Sequence, residues 1–80
     1  MARYYFDLLD HDGLVMDEEG LEFSDMGAVE REAARAMADA ASESFQRPIK
    51  PSESSIEVRD ETGPVMRLRF TVEIERLRKQ

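Results

Sequence analysis

Hydrophobic and polar side chains alternate strictly along residues 66–75. The even positions from Met66 to Ile74 are apolar, and the odd positions carry arginine, threonine or glutamate. A period of two predicts a long β-strand with one buried face. The same alternation at Ile56 and Val58 predicts a shorter strand upstream. The final strand is therefore predicted to extend beyond its partner, so that part of it must pair with the first strand, with another chain or with nothing.

The turn between these two strands sets their register. Residues 60–64 read Asp-Glu-Thr-Gly-Pro, which is typical of a hairpin loop with glycine at its fourth position. A three-residue loop closed by Asp60 and Pro64 places Val58 opposite Met66 on the buried face. The other pairs in this register are Ile56 with Leu68 and Glu57 with Arg67. A four-residue loop would turn arginines into the core, so the three-residue loop is predicted.

The N-terminal residues repeat this arrangement. Apolar even positions occur in residues 4–8, and residues 10–13 read Asp-His-Asp-Gly, which predicts a second hairpin turn. The same loop geometry predicts that Leu8 faces Met16. Residues 21–23 have one glutamate between two apolar side chains, which predicts a short third strand.

The middle of the chain predicts one helix. Ser24 or Asp25 is expected to cap it, and the helix is expected to run from Met26 to about Phe45. Small and apolar residues recur at helical spacing on one face: Val29, Ala33, Ala36, Met37, Ala40 and Ser44. The alanines allow close approach to a sheet. Residues 46–55, which contain two prolines, are predicted to form a connecting loop.

These elements predict a two-layer α+β fold in the order ββ(β)αββ. The antiparallel sheet consists of two hairpins, and one helix covers its even-numbered face. Residues 1–75 are expected to form a single domain, because 80 residues suffice for one domain at most. Residues 76–80 are expected to fray as a tail.

The composition narrows the range of functions. The chain has no cysteine, so disulfides and thiolate metal sites are excluded. Its formal net charge is −7. No apolar run approaches the ~18 residues of a membrane span, and a cytoplasmic protein is expected. The negative charge disfavours nucleic-acid binding. Arg67 and Arg69 lie on the predicted helix-free face, but glutamates share that face and Glu57 is expected to neutralise Arg67.

Candidate catalytic and metal-binding residues are few. Residues 10–13 followed by Glu19 resemble a calcium loop, but Leu8 would occupy the first ligand position and cannot bind a cation. His11 is the single histidine, and an exposed turn is its expected place. Carboxylates in residues 17–22 could form an acid–base pair, although an exposed acidic turn explains them more simply. The sequence therefore predicts no enzyme activity, no metal site and no cofactor.

Self-association is the favoured use of the helix-free face. A chain of this size buries a small core, and a second copy often supplies the missing stability. Tyr5, Leu9 and Val15 are predicted to lie on this face, with Leu9 opposite Val15 and Val65 at the matching position of the second hairpin. We expect a homodimer that forms through this face or through the final strand, and that acts by binding another protein. The alternative is a monomer whose final strand pairs with residues 3–9.

Four stretches of the chain carry a resemblance to known proteins. They are Arg3-Tyr4-Tyr5-Phe6-Asp7, Asp12-Gly13, Asp17-x-x-Gly20-x-Glu22-Phe23-x-Asp25 leading into the alanine-rich helix, and Ile56-x-Val58-Arg59-Asp60-Glu61-x-Gly63. In these stretches the chain resembles an uncharacterised family of short proteobacterial proteins, common in rhizobia, whose members carry a domain of unknown function. The resemblance implies a bacterial cytoplasmic setting and no particular activity. A weaker likeness to HicB-type antitoxins keeps open an antitoxin-like or RNA-contacting regulator as the alternative function.

Overall fold

The computed structural model describes residues 1–48 and 50–78. Its elements are β1 (Ala2–Asp10), β2 (Gly13–Val15), β3 (Leu21–Phe23), α1 (Met26–Ser44), β4 (Ser52–Asp60) and β5 (Gly63–Val72). The antiparallel sheet has the order β2-β1-β4-β5, and β3 pairs with the N-terminal end of β1. The predicted α+β fold with one helix on an antiparallel sheet is confirmed.

The helix covers the even-numbered face of the sheet, as the alternation predicts. Val29, Ala33 and Met37 are the buried residues of α1, and they pack with Ile56 and Val58 of β4. Partly buried side chains surround this core: Tyr4, Phe6, Leu8, Phe23, Ala36, Met66, Leu68 and Phe70. Among the described residues, five buried hydrophobic residues make a small core, so the domain has little stability to spare.

The ends of α1 agree with the sequence prediction. Asp25 is the N-cap, and its Oδ1 accepts a hydrogen bond from the backbone N–H of Ala28 at 2.8 Å. The helix ends at Ser44, and Phe45 is its C-cap. Within the described residues, no helix combines the length and the hydropathy that crossing a membrane requires.

The second hairpin has the predicted register but a different turn. Val58 faces Met66 as expected, yet Asp60 pairs with Gly63 rather than with Pro64. The turn is tighter because the Oδ1 of Asp60 accepts a hydrogen bond from the backbone N–H of Thr62 at 2.8 Å. A register shift follows within the strands and returns the even positions to the buried face.

The first hairpin has the same tight turn, and its predicted register is wrong. Asp10 pairs with Gly13, so Leu8 faces Val15 instead of Met16. On the other face, Leu9 therefore pairs with Leu14 and not with Val15. The strand β2 ends at Val15 without a bulge that could restore the predicted register.

The lengths of the last two strands also differ from expectation. The strand β4 begins at Ser52, so the predicted loop 46–55 is wrong for its last four residues. Serine has a low strand propensity, but pairing with the end of β5 overrides that preference. The strand β5 ends at Val72, and residues 73–75 lie outside it, contrary to the prediction.

The observed strand β5 does not extend beyond its partner β4, contrary to the prediction. The nine residues of β4 and the ten of β5 pair along their whole length, from Asp60 with Gly63 to Ser52 with Val72. The alternative pairing of the final strand with residues 3–9 is wrong as well, because β1 pairs with β4. Fraying of the tail stays a prediction, and residues 79–80 of that tail lie outside the described residues.

Candidate interaction surface

The strand β5 is the last strand of the sheet, and this position leaves one of its edges unpaired. Its inner edge bonds to β4, and in the described part of the chain no strand lies on its outer side. In an antiparallel sheet every second residue directs its backbone N–H and C=O away from a given neighbour. The β5 edge therefore offers a row of free backbone donors and acceptors, which natural proteins usually shield or use for pairing.

An apolar groove runs beside the β5 edge, between this strand and α1. Its floor consists of Ala33 and Ala34 of the helix with Met66 and Leu68 of the strand, and its volume is about 360 Å³. Glu30 and Arg67 also line it. The groove exists because the helix presents alanines here, and a larger residue would fill it. It can accept an aliphatic side chain from a strand that pairs with β5.

The residues directly after β5 continue its alternation, but none of the described strands pairs with them. We call residues 73–76 the C-terminal arm; all of its side chains are exposed, and Ile74 is 49% exposed. Intrachain pairing stops at Val72 because β4 begins at Ser52, immediately after Pro51, which has no backbone N–H to donate. The arm thus has the pattern of a strand without the neighbour that would make it one.

The open face of the sheet, on the side away from α1, carries four arginines that are each paired with a carboxylate. The N–O distances are 3.1 Å for Arg3–Glu22, 2.8 Å for Arg59–Asp7, 2.6 Å for Arg67–Glu57 and 3.9 Å for Arg69–Glu53. The predicted pair of Arg67 with Glu57 is confirmed. Arg69 has the longest contact, and its side chain remains 61% exposed.

Asp7, Asp17 and Arg59 form a hydrogen-bonded group that we call the polar lock. It fastens the loop between β2 and β3 to β1 and β4. Asp7 is 6% exposed, and its carboxylate accepts hydrogen bonds from Nε of Arg59 at 2.8 Å and from the backbone N–H of Asp17 at 2.9 Å. Nη2 of Arg59 also donates to the backbone carbonyl of Asp17 at 2.9 Å. Every buried side-chain polar atom in the described residues has a hydrogen-bond partner, and this includes the buried atoms of the lock.

On one edge, β1 pairs with β3 at residues 2–4 and with β2 at residues 8–10, and Asp17 lies beside the unpaired residues between them. Its Oδ2 accepts the backbone N–H of Phe6 at 3.1 Å, while its Oδ1 accepts those of Glu19 and Gly20 at 3.2 and 3.1 Å. Burial alone would raise the pKa of Asp17, but these three hydrogen bonds and the charge of Arg59 outweigh it and lower the pKa. The carboxylate is therefore held ionised as a structural group.

The lowered pKa of Asp17 predicts a loss of stability in acid. Its ionised form is favoured by folding, so the stabilisation is fully present above the ordinary pKa of 3.8 and is lost as the pH falls through the lower folded value. We expect the free energy of unfolding to decrease as the pH is lowered below about 4. Asp17→Asn should be less stable at neutral pH and show a shallower decrease in acid, as measured by urea unfolding at a series of pH values.

Asp60 also contributes to the acid effect in that experiment. Hydrogen bonds from the hydroxyl and the backbone N–H of Thr62 lower the pKa of Asp60 as well. The Asp17→Asn variant should therefore keep part of the pH dependence. If it has the same pH profile as the unsubstituted protein, the lowered pKa of Asp17 is refuted.

Tyr5 and Val65, two of the residues predicted as an interface, lie in different surroundings. The ring of Tyr5 is half-buried beneath the guanidinium of Arg59, whose Cζ lies 4.5 Å from the ring centroid. Val65 is 37% exposed, near the register shift of the second hairpin. A ring covered by Arg59 offers little apolar surface to a partner.

The other two predicted interface residues lie on opposite faces of the first hairpin. Leu9 is 50% exposed and pairs with Leu14 on the open face. Val15 is 65% exposed, but its pairing with Leu8 places it on the helix side of the sheet. The structure thus does not gather the four residues into one patch, and their role as an interface stays a prediction.

The acidic tip of the first hairpin holds a group of possible metal ligands. Asp10, His11 and Asp12 offer ligand atoms that all lie within 4.8 Å of one another. One oxygen of Asp10 already accepts the backbone N–H of Asp12 at 2.8 Å, and His11 and Asp12 are exposed. These contacts are those of a polar turn, as the sequence predicts.

Comparison with known proteins yields one family. A family model described as "Domain of unknown function (DUF6894)" matches residues 3–71, which extend from the start of β1 almost to the end of β5. No curated protein matches the chain, and no solved structure matches it. The resemblance to a family with a domain of unknown function is thereby supported, and the family description names no activity.

Proposed function

The chain belongs to this DUF6894 family, and we propose that it is a non-catalytic protein that self-associates and acts by protein–protein contact. The observation that carries the proposal is the outer edge of β5, which is ten residues long, has no partner among the described residues and lies next to an apolar groove. Free backbone groups and an apolar receptor side by side are the two components of recognition by strand addition. The proposed setting is the bacterial cytoplasm, as the resemblance implies.

The charges of the open face favour a protein partner over a nucleic acid. Its four arginines each have a carboxylate neighbour, so little positive charge is left to attract phosphates. The polar side chains in the lock are committed to holding the loop between β2 and β3. We therefore place the functional surface at the β5 edge and its groove, and we propose no catalytic residue.

A substitution in the groove tests the proposal. Ala34 lines the groove and is exposed, so Ala34→Glu should place a bulky charge where a partner packs without disturbing the core. We expect the unsubstituted protein to dimerise in the micromolar range and Ala34→Glu to weaken dimerisation about tenfold or more. Sedimentation equilibrium over a range of concentrations measures this effect.

Ala2→Glu is the matched control for this experiment. Ala2 is exposed on β1, which β4 separates from β5, and it does not line the groove, so this variant has the same charge and composition as Ala34→Glu. It should dimerise like the unsubstituted protein. Equal weakening by both variants would contradict a role of the groove. If the unsubstituted protein is a monomer at all concentrations and binds single-stranded RNA at low salt, the RNA-contacting alternative is favoured instead.

A further inference from the structure

Resting on the proposed function, we propose that the C-terminal arm of a second copy completes the sheet at the β5 edge. The two β5 strands run antiparallel about a two-fold axis, and Thr71 of one copy faces Thr71 of the other. Each arm then lies beside β5 of the other copy and becomes part of a longer strand. The two four-stranded paths join into one continuous sheet with both helices on the same side.

The charges on the odd positions select this register. With Thr71 opposite Thr71, Arg69 faces Glu73 of the second copy, and Arg67 faces Glu75 of the second copy. The two-fold axis repeats both pairs, so four oppositely charged pairs form. Each arginine would then lie between a carboxylate on β4 and one on the other copy, since Arg67 contacts Glu57 and Arg69 lies near Glu53.

Neighbouring registers match these charges less well. A shift of two positions in either direction leaves one kind of Arg–Glu pair and sets Thr71 against a charge. A shift of four positions places Arg69 opposite Arg69 of the second copy, or Glu73 opposite Glu73 of the second copy. Like charges directly opposite each other are destabilising. A shift of one position would turn charged side chains onto the apolar face.

The apolar side chains on the even positions fit the same register. Ile74 of the second copy lies opposite Leu68, which is part of the floor of the groove. Val72 of the second copy lies opposite Phe70, which is tilted against the ring of Phe45 with a centroid distance of 6.0 Å. Phe45 is 44% exposed in the single chain, and Ile74 is 49% exposed. Pairing therefore covers two of the exposed large hydrophobic residues near this end of the sheet.

A charged residue that lines the groove also fits the arm of the second copy. Arg76 of the second copy lies opposite Met66, and Glu30 lines the groove beside Met66. An exposed arginine at the end of the arm thus comes near an exposed glutamate of α1. The arm therefore agrees with the β5 edge in backbone pattern, in apolar side chains and in charge.

Charge reversal at one pair tests the register. Arg69→Glu sets glutamate against glutamate twice, and Glu73→Arg sets arginine against arginine twice. We expect each variant alone to dimerise about tenfold more weakly than the unsubstituted protein. An equimolar mixture of the two variants restores opposite charges at both places, so a heterodimer should form with nearly the original affinity. Native mass spectrometry identifies the heterodimer, and sedimentation equilibrium gives its dissociation constant.

Cross-linking provides a second readout that does not depend on affinity. The chain has no cysteine, so Thr71→Cys introduces a single thiol at the two-fold axis. Two cysteines directly opposite each other on paired strands lie within the Cα distance that a disulfide spans. We expect Thr71→Cys to form a covalent dimer under mild oxidation. Arg69→Cys is the control, because its two copies are four positions apart in this register and should cross-link poorly.

The results of these two experiments distinguish a wrong register from a wrong proposed function. Rescue in the mixture together with a selective Thr71→Cys cross-link supports the register. A dimer that shows no rescue and cross-links equally at both positions overturns the register, while the proposed self-association stands. A protein that remains monomeric up to low millimolar concentration overturns both.

Discussion

Replacing Gly20 by alanine is expected to destabilise the domain by about 3 kcal/mol. Gly20 has a φ of +69°, in the left-handed region that side-chain-bearing residues avoid. A Cβ atom at this position would also lie 2.8 Å from the carbonyl oxygen of Tyr4 and 3.0 Å from the ring of Tyr5. Both groups belong to β1, so relief of the contact requires the loop that holds Asp17 to move away from the sheet. Urea unfolding measures the effect.

Gly13→Ala is the control that separates the two causes. Gly13 also has a positive φ, of 122°, but a Cβ there would meet no atom within 4 Å. This variant therefore reports the cost of a positive φ without a close contact, and a φ of 122° is less favourable for alanine than one of 69°. If Gly20→Ala costs no more than the about 1–2 kcal/mol of a left-handed backbone, the approach of Gly20 to β1 contributes nothing.

Replacing Asp17 by alanine is the second large effect that we expect, with a loss of about 2–4 kcal/mol. The carboxylate accepts hydrogen bonds from three backbone N–H groups, and that of Phe6 is partly buried. Alanine would leave these donors without a protein partner and would release the loop that β1 holds on its edge. The change in unfolding free energy can be measured by urea unfolding, with hydrogen exchange at the amide of Phe6 as the local readout.

Glu18→Ala is the matched control for Asp17→Ala. Glu18 is the next residue in the same loop, and its side chain is exposed. Removing it should change stability by no more than about 0.5 kcal/mol. If Glu18→Ala and Asp17→Ala have the same effect, the hydrogen bonds of Asp17 do not hold the loop.

The parts of the fold that the sequence predicts are those with a strong local signal. Alternation at residues 66–72 identified the buried face of β5 correctly, because a strand has two faces and one of them is uniformly apolar. The helix was predictable from its cap and its spacing, since Asp25 is followed by Val29, Ala33 and Met37 on one face. These signals do not depend on the rest of the chain.

The errors arise where pairing partners decide the structure. Ser52 and Ser55 have weak strand preference, but β5 recruits them into β4. The register of the first hairpin differs from the prediction because a bulge follows the turn of the second hairpin and not that of the first. Bulges of this kind depend on tertiary packing and leave little trace in a single sequence.

The polar lock was missed for a related reason. Asp7 and Arg59 are distant in sequence, and both appeared to be ordinary charged residues on an open face. One signal was available, because Asp17 and Gly20 occupy the positions of an Asx-type turn in the loop between two strands. The contact of Asp17 with β1, however, follows from the path of this loop along the edge of β1 and not from any local pattern.

The two edges of the sheet differ in how they are held. Asp7, Arg59 and Asp17 tie β1, β4 and the loop after β2 together by hydrogen bonds. The outer edge of β5 has no such closure among the described residues. The outer edges of β2 and β3 are also unpaired among the described residues, but each of these strands has only three residues, so the ten-residue β5 offers the longer edge for self-association.

Hydrogen exchange of the β5 backbone amides as a function of protein concentration tests the central claim most directly. Exchange should be slow at every concentration for the amides that bond to β4. For the alternate amides that point away from β4, we predict fast exchange in dilute solution and strong protection at high concentration, with amides of the C-terminal arm protected in parallel. Fast exchange of the outward amides at concentrations where the protein is dimeric would contradict the claim.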